Sequence, residues 1–205
     1  MHIELTEMLR CPEPHELAFL VLSTGEMIGR SVRSGIVGCP VCRREYRITD
    51  GVVDFGGRVS PSSDAHGLPL PPSLLPLPLG ETLQALLDLS GPGGFVVLVG
   101  EAARSAPGLA ALMGGIHFVG VNPPKGVEEL PMLSVLRAPA AIPLRPSVAR
   151  GVVLGPDVLH EPWLKDAAAV LLRGRRYVAE SETFAAPALI TRLASGGGLW
   201  VGEKQ

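Results

Sequence analysis

Two hundred and five residues with a formal net charge of −2 suit one medium domain, or a small unit joined to a modest one. Hydrophobic residues make up 46% of the chain, enough for a packed core, but only 4% are aromatic, so that core is Leu, Val and Ala with few platforms for stacking bases. The charge supplies no basic field, which disfavours a nucleic-acid partner. No apolar run approaches the roughly 20 residues that cross a bilayer, and the N-terminus MHIELTEMLRCPEPHE has no signal-peptide core, so a soluble cytoplasmic protein is expected.

In chain order, residues 1–58 are rich in charge and in short β-type runs: LAFLVLS at 17–23, GEMIGRSVR at 25–33 and EYRIT at 45–49, separated by Gly and Asp-Gly turns. They predict a small β unit. From 59 to 79 the chain is Pro-, Ser- and Leu-rich without helical or strand period, which predicts an extended linker, its leucines against a domain surface. Beyond residue 80, short Val-rich runs alternate with Ala/Leu-rich segments in the manner of βαβ units. The spacing predicts helices near 80–89, 102–113, 162–173 and 185–194. Strands are predicted at FVVLVG (95–100), HFVGV (117–121), 133–137, GVVLG (151–155), RRYVAE (175–180) and a last run at GLWVG. A run as continuous as FVVLV implies burial on both faces. The fold class expected is therefore α/β, a small β unit followed at 80–205 by a Rossmann-like, doubly wound, mainly parallel sheet.

Three cysteines cannot pair completely, and a reduced, metal-binding use fits them better than a disulfide framework. Cys39-Pro40-Val41-Cys42 is a C-x-x-C knuckle, whose spacing lets two thiolates reach one tetrahedral ion from a tight turn. Cys11 lies upstream in Cys11-Pro12-Glu13-Pro14-His15, and His15 completes a Cys3His set. Two other readings compete: buried, unligated thiols with a surface histidine, or a redox pair. The redox reading is the weaker, because this pair precedes the charged segment RREYRIT instead of opening a helix.

The stretches LRCPEPHEL and GCPVCRREYRITDGVVDF, with the spacing between them, resemble the Trm112-like zinc-ribbon family. The family pattern places C-P-x-C before C-x-x-C, then an aromatic residue, an apolar residue and Asp-Gly. Tyr46, Ile48 and Asp50-Gly51 match the last three. Pro14 stands where the second family cysteine would, with His15 beside it. The resemblance implies a structural zinc on Cys11, His15, Cys39 and Cys42. It also implies a protein partner, either a methyltransferase or a second copy of the chain, because family members activate methyltransferases or are fused to them.

Residues 91–205 resemble a class I S-adenosylmethionine-dependent methyltransferase, through strand order and the stretches FVVLVGEAARSAPGLAALM, ARGVVLGPDVL and LKDAAAVLLRGRRYVAES. That resemblance places a cofactor cleft at Gly100, Glu101, Asn122 and Asp157. The chemistry there is impaired. Glu101-Ala102-Ala103-Arg104-Ser105 follows Gly100 where glycines would let backbone N–H groups approach a ligand, and Asn122-Pro123-Pro124 supplies no carboxylate for a ribose. S-adenosylmethionine is possible but disfavoured. Asp157, His160 and Glu161 follow the fourth predicted strand, at the edge where open α/β sheets bind ligands, although exposed loops collect such residues anyway. Arg173, Arg175 and Arg176 bracket Gly174 in a predicted helix-to-strand turn.

The leading expectation is a noncatalytic or vestigial methyltransferase-like protein that serves as a protein–protein interaction module. The alternative is an S-adenosylmethionine-dependent methyltransferase with an atypical cofactor loop. A small-molecule binder that keeps only the cleft is a third reading.

Overall fold

The computed structural model describes residues 1–56, 79–127 and 131–205. The stretch read as a linker, 59–79, lies outside the described residues except for Leu79, which opens the first helix. The chain starts with a 3-10 segment, Ile3–Met8, and then runs through six short strands: β1 (Val21–Thr24), β2 (Met27–Ile28), β3 (Ser31–Val32), β4 (Gly35–Gly38), β5 (Glu45–Thr49) and β6 (Val52–Asp54). Alternation in EYRIT turns Tyr46 and Ile48 inward and leaves Glu45, Arg47 and Thr49 exposed. Asp50 and Gly51 follow at φ 50° and 82°, and Thr49 pairs with Val52, so this Asp-Gly forms the two-residue hairpin turn that needs positive φ at both positions.

The second half contributes α1 (Leu79–Leu87), β7 (Phe95–Val99), α2 (Ala106–Leu112), β8 (His117–Val121), β9 (Leu133–Arg137), β10 (Ala149–Leu154), α3 (Trp163–Val170), β11 (Leu171–Ala179), β12 (Ile190–Gly196) and β13 (Leu199–Lys204). Every residue of β7 and β8 is buried, as continuous apolar runs between two layers require. None of the helices among the described residues is long and apolar enough to cross a membrane.

One sheet of eleven strands runs β1-β4-β5-β6-β9-β8-β7-β10-β11-β13-β12. The strands from β6 to β11 are parallel, and the flanking pairs are antiparallel. The first half therefore does not stand apart. Val52, Val53 and Asp54 of β6 pair in parallel with Val135, Leu136 and Arg137 of β9, which extends the α/β sheet into the β unit. Leu83, Leu87 and Leu109 of α1 and α2 cover one face. The other face is covered by Trp163, Leu164 and Ala167 of α3, together with Met1, Leu5 and Leu9 of the opening segment. Leu5 and Leu9 are completely buried, worth roughly 1.5–3 kcal/mol each. Leu9 also bridges to Leu144, so the first ten residues act as part of the sheet's outer layer.

Two predicted helices differ in the structure. The segment 185–194 is not helical. Pro187 interrupts it, and Ile190–Gly196 pairs with β13 through a Gly197-Gly198 hairpin turn at φ 61° and 79°. The helix expected to reach 173 ends at Val170, because Leu171 is extended and pairs with Ala149. Gly151 then pairs with Arg176, so Arg173, Gly174 and Arg175 bulge out of β11 and do not form a turn. Strands β4 and β6 had no counterpart in the sequence reading, being short and flanked by glycine.

Arg150, entering β10, ties down the loop before β7. Its guanidinium donates to the carbonyls of Ser90 at 2.7 Å, Gly91 at 3.2 Å, Pro92 at 3.1 Å and Gly93. A side chain at Gly94, where φ is 86° at Gly93 and 76° at Gly94, would strike the Arg150 stem. Arg150→Ala leaves those carbonyls to water and is expected to cost roughly 2 kcal/mol in urea unfolding. Arg150→Lys recovers only part, since an ammonium cannot fan across four acceptors.

Candidate metal centre

The four residues expected to hold a metal converge. One ligand atom from each of Cys11, His15, Cys39 and Cys42 lies within 4.8 Å of all the others, and this is the one such group found among the described residues. Local backbone geometry explains the convergence. The Cys11 N–H donates to Ala18 O at 3.0 Å, closing the loop that carries His15. The knuckle closes through Cys39 N–H to Arg44 O and Arg43 N–H to Cys39 O, with Arg43 at φ 59°. A Glu13–Arg44 ion pair of 3.1 Å ties the two loops together.

The distances suit a tetrahedral ion. Ligand bonds of about 2.3 Å to sulfur and 2.0–2.1 Å to nitrogen place neighbouring ligands roughly 3.5–3.8 Å apart. Cys11 Sγ stands 3.7 Å from Cys42 Sγ, and Cys39 Sγ stands 3.5 Å from His15 Nε2. His15 Nδ1 is 2.6 Å from Glu16 O, so it carries the proton and Nε2 is the nitrogen left to ligate. Tyr46 Oη, 3.3 Å from Cys11 Sγ, donates to that sulfur from the packed side. Burial pushes the Cys11 thiol up to about 11 against the lowering effect of Tyr46. At Cys39 burial acts the same way but is outweighed by backbone hydrogen bonds from Cys42 and Val41, and the thiol falls to about 7. A dication in place of these protons removes the conflict, because it favours all three thiolates.

A second group of polar residues sits at the carboxyl ends of the parallel strands. Strand order reverses there between β7 and β10, which is where open α/β sheets form their crevice. Gly100, at φ 63°, and Glu101 follow β7, and Asp157 follows β10. The three are in contact, and the Asp157 carboxylate lies against the turn after β7. Its Oδ1 accepts the Glu101 N–H at 2.9 Å, and a Cβ at Gly100 would lie 2.4 Å from Oδ2. A Cβ at Gly155 would lie 2.7 Å from the backbone nitrogens of both Glu101 and Ala102, so the two turns pack directly together. Asn122, after β8, is separate and bonded to the backbone. Its Nδ2 donates to Ala138 O at 2.7 Å, and its Oδ1 accepts the Ala138 N–H at 2.8 Å. His160 and Glu161 are exposed, and neither side chain makes a hydrogen bond or ion pair among the described residues.

Sequence reasoning missed Arg104 and Glu180. Arg104 bridges Glu101 at 3.0 Å and the buried carboxylate of Glu180 at 2.7 Å. Burial raises the Glu180 pKa, Arg104 opposes that, and the carboxylates of Asp157 and Glu101 add to it. The available signal was a lone acid closing the apolar strand RRYVAE, at the ligand-binding edge of a parallel sheet.

No protein-family model matches the sequence, and no curated protein does. Solved structures with a similar arrangement include geranyl diphosphate C-methyltransferase from Streptomyces coelicolor A3(2), at 14% identity and a TM-score of 0.41 over 49% of this chain and 41% of that one. A SAM-dependent methyltransferase from Aquifex aeolicus aligns at 17% identity and a TM-score of 0.48, over 65% of this chain and 92% of that one. A chain in a complex containing the Haloferax volcanii Trm112 methyltransferase activator aligns at 17% identity and a TM-score of 0.40, over 49% and 50%. This chain spans about two fifths of the length of the geranyl diphosphate methyltransferases it matches.

Proposed function

We propose that this chain is a noncatalytic, methyltransferase-like protein in which a zinc-bearing head and an α/β body act as one protein–protein interaction module. The observation that carries this reading is the seat of Asp157. In a Rossmann-like sheet the turn after the central strand is where backbone N–H groups meet a ligand. Here the Glu101 N–H meets the chain's own carboxylate, and Gly100 leaves just enough room for it. The residues present do not fit S-adenosylmethionine. The Glu101 N–H after β7 is already bonded to Asp157, and the residue after β8 is Asn122, held to Ala138 by two hydrogen bonds, where a ribose would need a carboxylate.

The head fits a structural zinc. Cys11, His15, Cys39 and Cys42 would fill all four positions of a tetrahedral ion, leaving none for water or substrate. Such an ion would staple together two loops that are otherwise joined by the Glu13–Arg44 ion pair and by the contact of Tyr46 with Cys11. The parallel β6–β9 pairing supports a cooperative unit, in which the head serves the body of its own chain and the two together engage a partner, either a methyltransferase or a second copy.

Calorimetric titration with S-adenosylmethionine tests the noncatalytic reading. No heat of binding is expected up to about 1 mM ligand. Micromolar binding would overturn it in favour of a methyltransferase with an atypical cofactor loop. Elemental analysis of the purified chain is expected to return one zinc per molecule.

A further inference from the structure

We infer that the metal centre is an oxidation-sensitive switch, in which peroxide joins Cys42 to Cys11 as a disulfide across the two loops and releases the ion. This rests on the zinc reading proposed above and specifies how that same site is regulated. Of the three cysteines only Cys42 is exposed, whereas Cys11 and Cys39 are 7% and 3% exposed. With a dication bound all three sulfurs are thiolates, so access and not acidity decides which one meets an oxidant in solution. That sulfur is Cys42.

Geometry then selects its partner. Cys11 Sγ stands 3.7 Å from Cys42 Sγ, and a disulfide needs about 2.05 Å, a short closing movement of two side chains already in contact. Cys39 is placed otherwise. Its sulfur lies 3.5 Å from His15 Nε2, and joining it to Cys42 would close a ring inside a knuckle already held by Cys39 N–H to Arg44 O and Arg43 N–H to Cys39 O. A Cys11–Cys42 link spans 31 residues and ties the same two loops that the ion ties. The head therefore keeps a cross-connection while the centre loses two of its four ligands. The Cys42 thiolate attacks one peroxide oxygen, the O–O bond breaks and hydroxide leaves, giving a sulfenic acid. The Cys11 thiolate attacks that sulfur and expels the second hydroxide. Two protons from solvent convert both hydroxides to water, so each thiolate has lost one electron and one peroxide has gained two. Cys39 and His15 remain, too few to hold the ion.

The test is exposure of the zinc-loaded full chain to excess hydrogen peroxide, beside a peroxide-free control. Zinc content is measured first, released zinc is followed with a chromogenic chelator, and disulfides are mapped by mass spectrometry after alkylation and proteolysis. The expected result is about one zinc released per disulfide, the disulfide being Cys11–Cys42 with Cys39 alkylated, and full reloading after dithiothreitol and added zinc. Cys42→His keeps four ligands without the exposed sulfur and should slow the release by about tenfold or more. The disulfide map is read on the unaltered chain and needs no variant. A Cys39–Cys42 disulfide, release without a disulfide, or a loss that dithiothreitol and zinc do not reverse overturns the proposal. So does release from Cys42→His as fast as from the unaltered chain. Zinc present at the start but retained in peroxide defeats only the switch. A chain that holds no zinc before oxidation, even after reconstitution, defeats the metal reading and the switch with it.

Discussion

Stripping the metal with a strong chelator, or replacing Cys39 with Ser, is expected to lower the thermal midpoint of the whole chain by roughly 10–20 °C. Structural zinc contributes about 10 kcal/mol or more to the folding of small zinc-binding peptides. Losing half of that minimum, about 5 kcal/mol, at about 2–4 °C per kcal/mol for a chain of this size gives the stated shift. The effect should not stay in the head, for a structural reason. β6 is an inner strand of the common sheet, the Leu5 and Leu9 side chains sit in the same core cluster as Val97 and Val152, and Phe55 N–H donates to Arg137 O at 2.8 Å. Both tryptophans, Trp163 and Trp200, lie in the α/β half and are buried, so their fluorescence reports on the body alone. The expected result is a tryptophan transition that moves down together with metal loss. A tryptophan midpoint indifferent to chelation would show that the head is a separate unit and would remove the basis for treating the two halves as one module.

Lowering the pH from about 6.5 to 4 is expected to cost the native state about 3 kcal/mol through one buried ring. His117 opens β8 at 7% exposure, with its Nε2 2.8 Å from Ser134 Oγ and the His2 ring 4.8 Å away. Burial first, then the positive charges of His2 and the amino terminus, pull its pKa from 6.5 to about 4. The folded value is depressed, so the unfolded chain takes up the proton first as pH falls. Stability from the neutral ring is therefore complete above about 6.5 and declines continuously down to about 4. At 1.36 kcal/mol per pKa unit the full difference is about 3 kcal/mol. His117→Gln keeps a hydrogen-bonding group toward Ser134 without a titrating ring. Urea unfolding of both forms at matched metal content should show parallel stability at pH 7 and a shallower acid decline for the variant. Equal slopes would mean that the ring is not buried neutral against the base of the sheet.

Much of the arrangement was readable one segment at a time. FVVLV announced a buried parallel strand because both its faces are apolar, HFVGV and a possible strand at 133–137 followed from the βαβ alternation, and the structure places strands at all three. The segment 185–194 misled because its Ala/Leu pattern suits a helix. What decides it is pairing with β13 across two glycines, a contact that local periodicity does not encode. The seat of Asp157 was equally hidden. Residues 100 and 157 are far apart in sequence, and only the packing of one turn on the other makes the Asp157 carboxylate the acceptor of the Glu101 N–H.

By itself the sequence determined the donor set, because thiol and imidazole chemistry is a property of residue type, and C-x-x-C spacing limits how far apart two of those groups can stand. It also determined the class of fold, since the period of apolar residues follows from which faces must leave water. Tertiary structure alone decided that the opening residues roof the sheet, that β6 joins β9, and that Asp157 bonds to the turn after β7. Those outcomes depend on which of several equally apolar surfaces meet. The hydrophobic effect is non-directional, so shape, register and the few available hydrogen bonds make that choice.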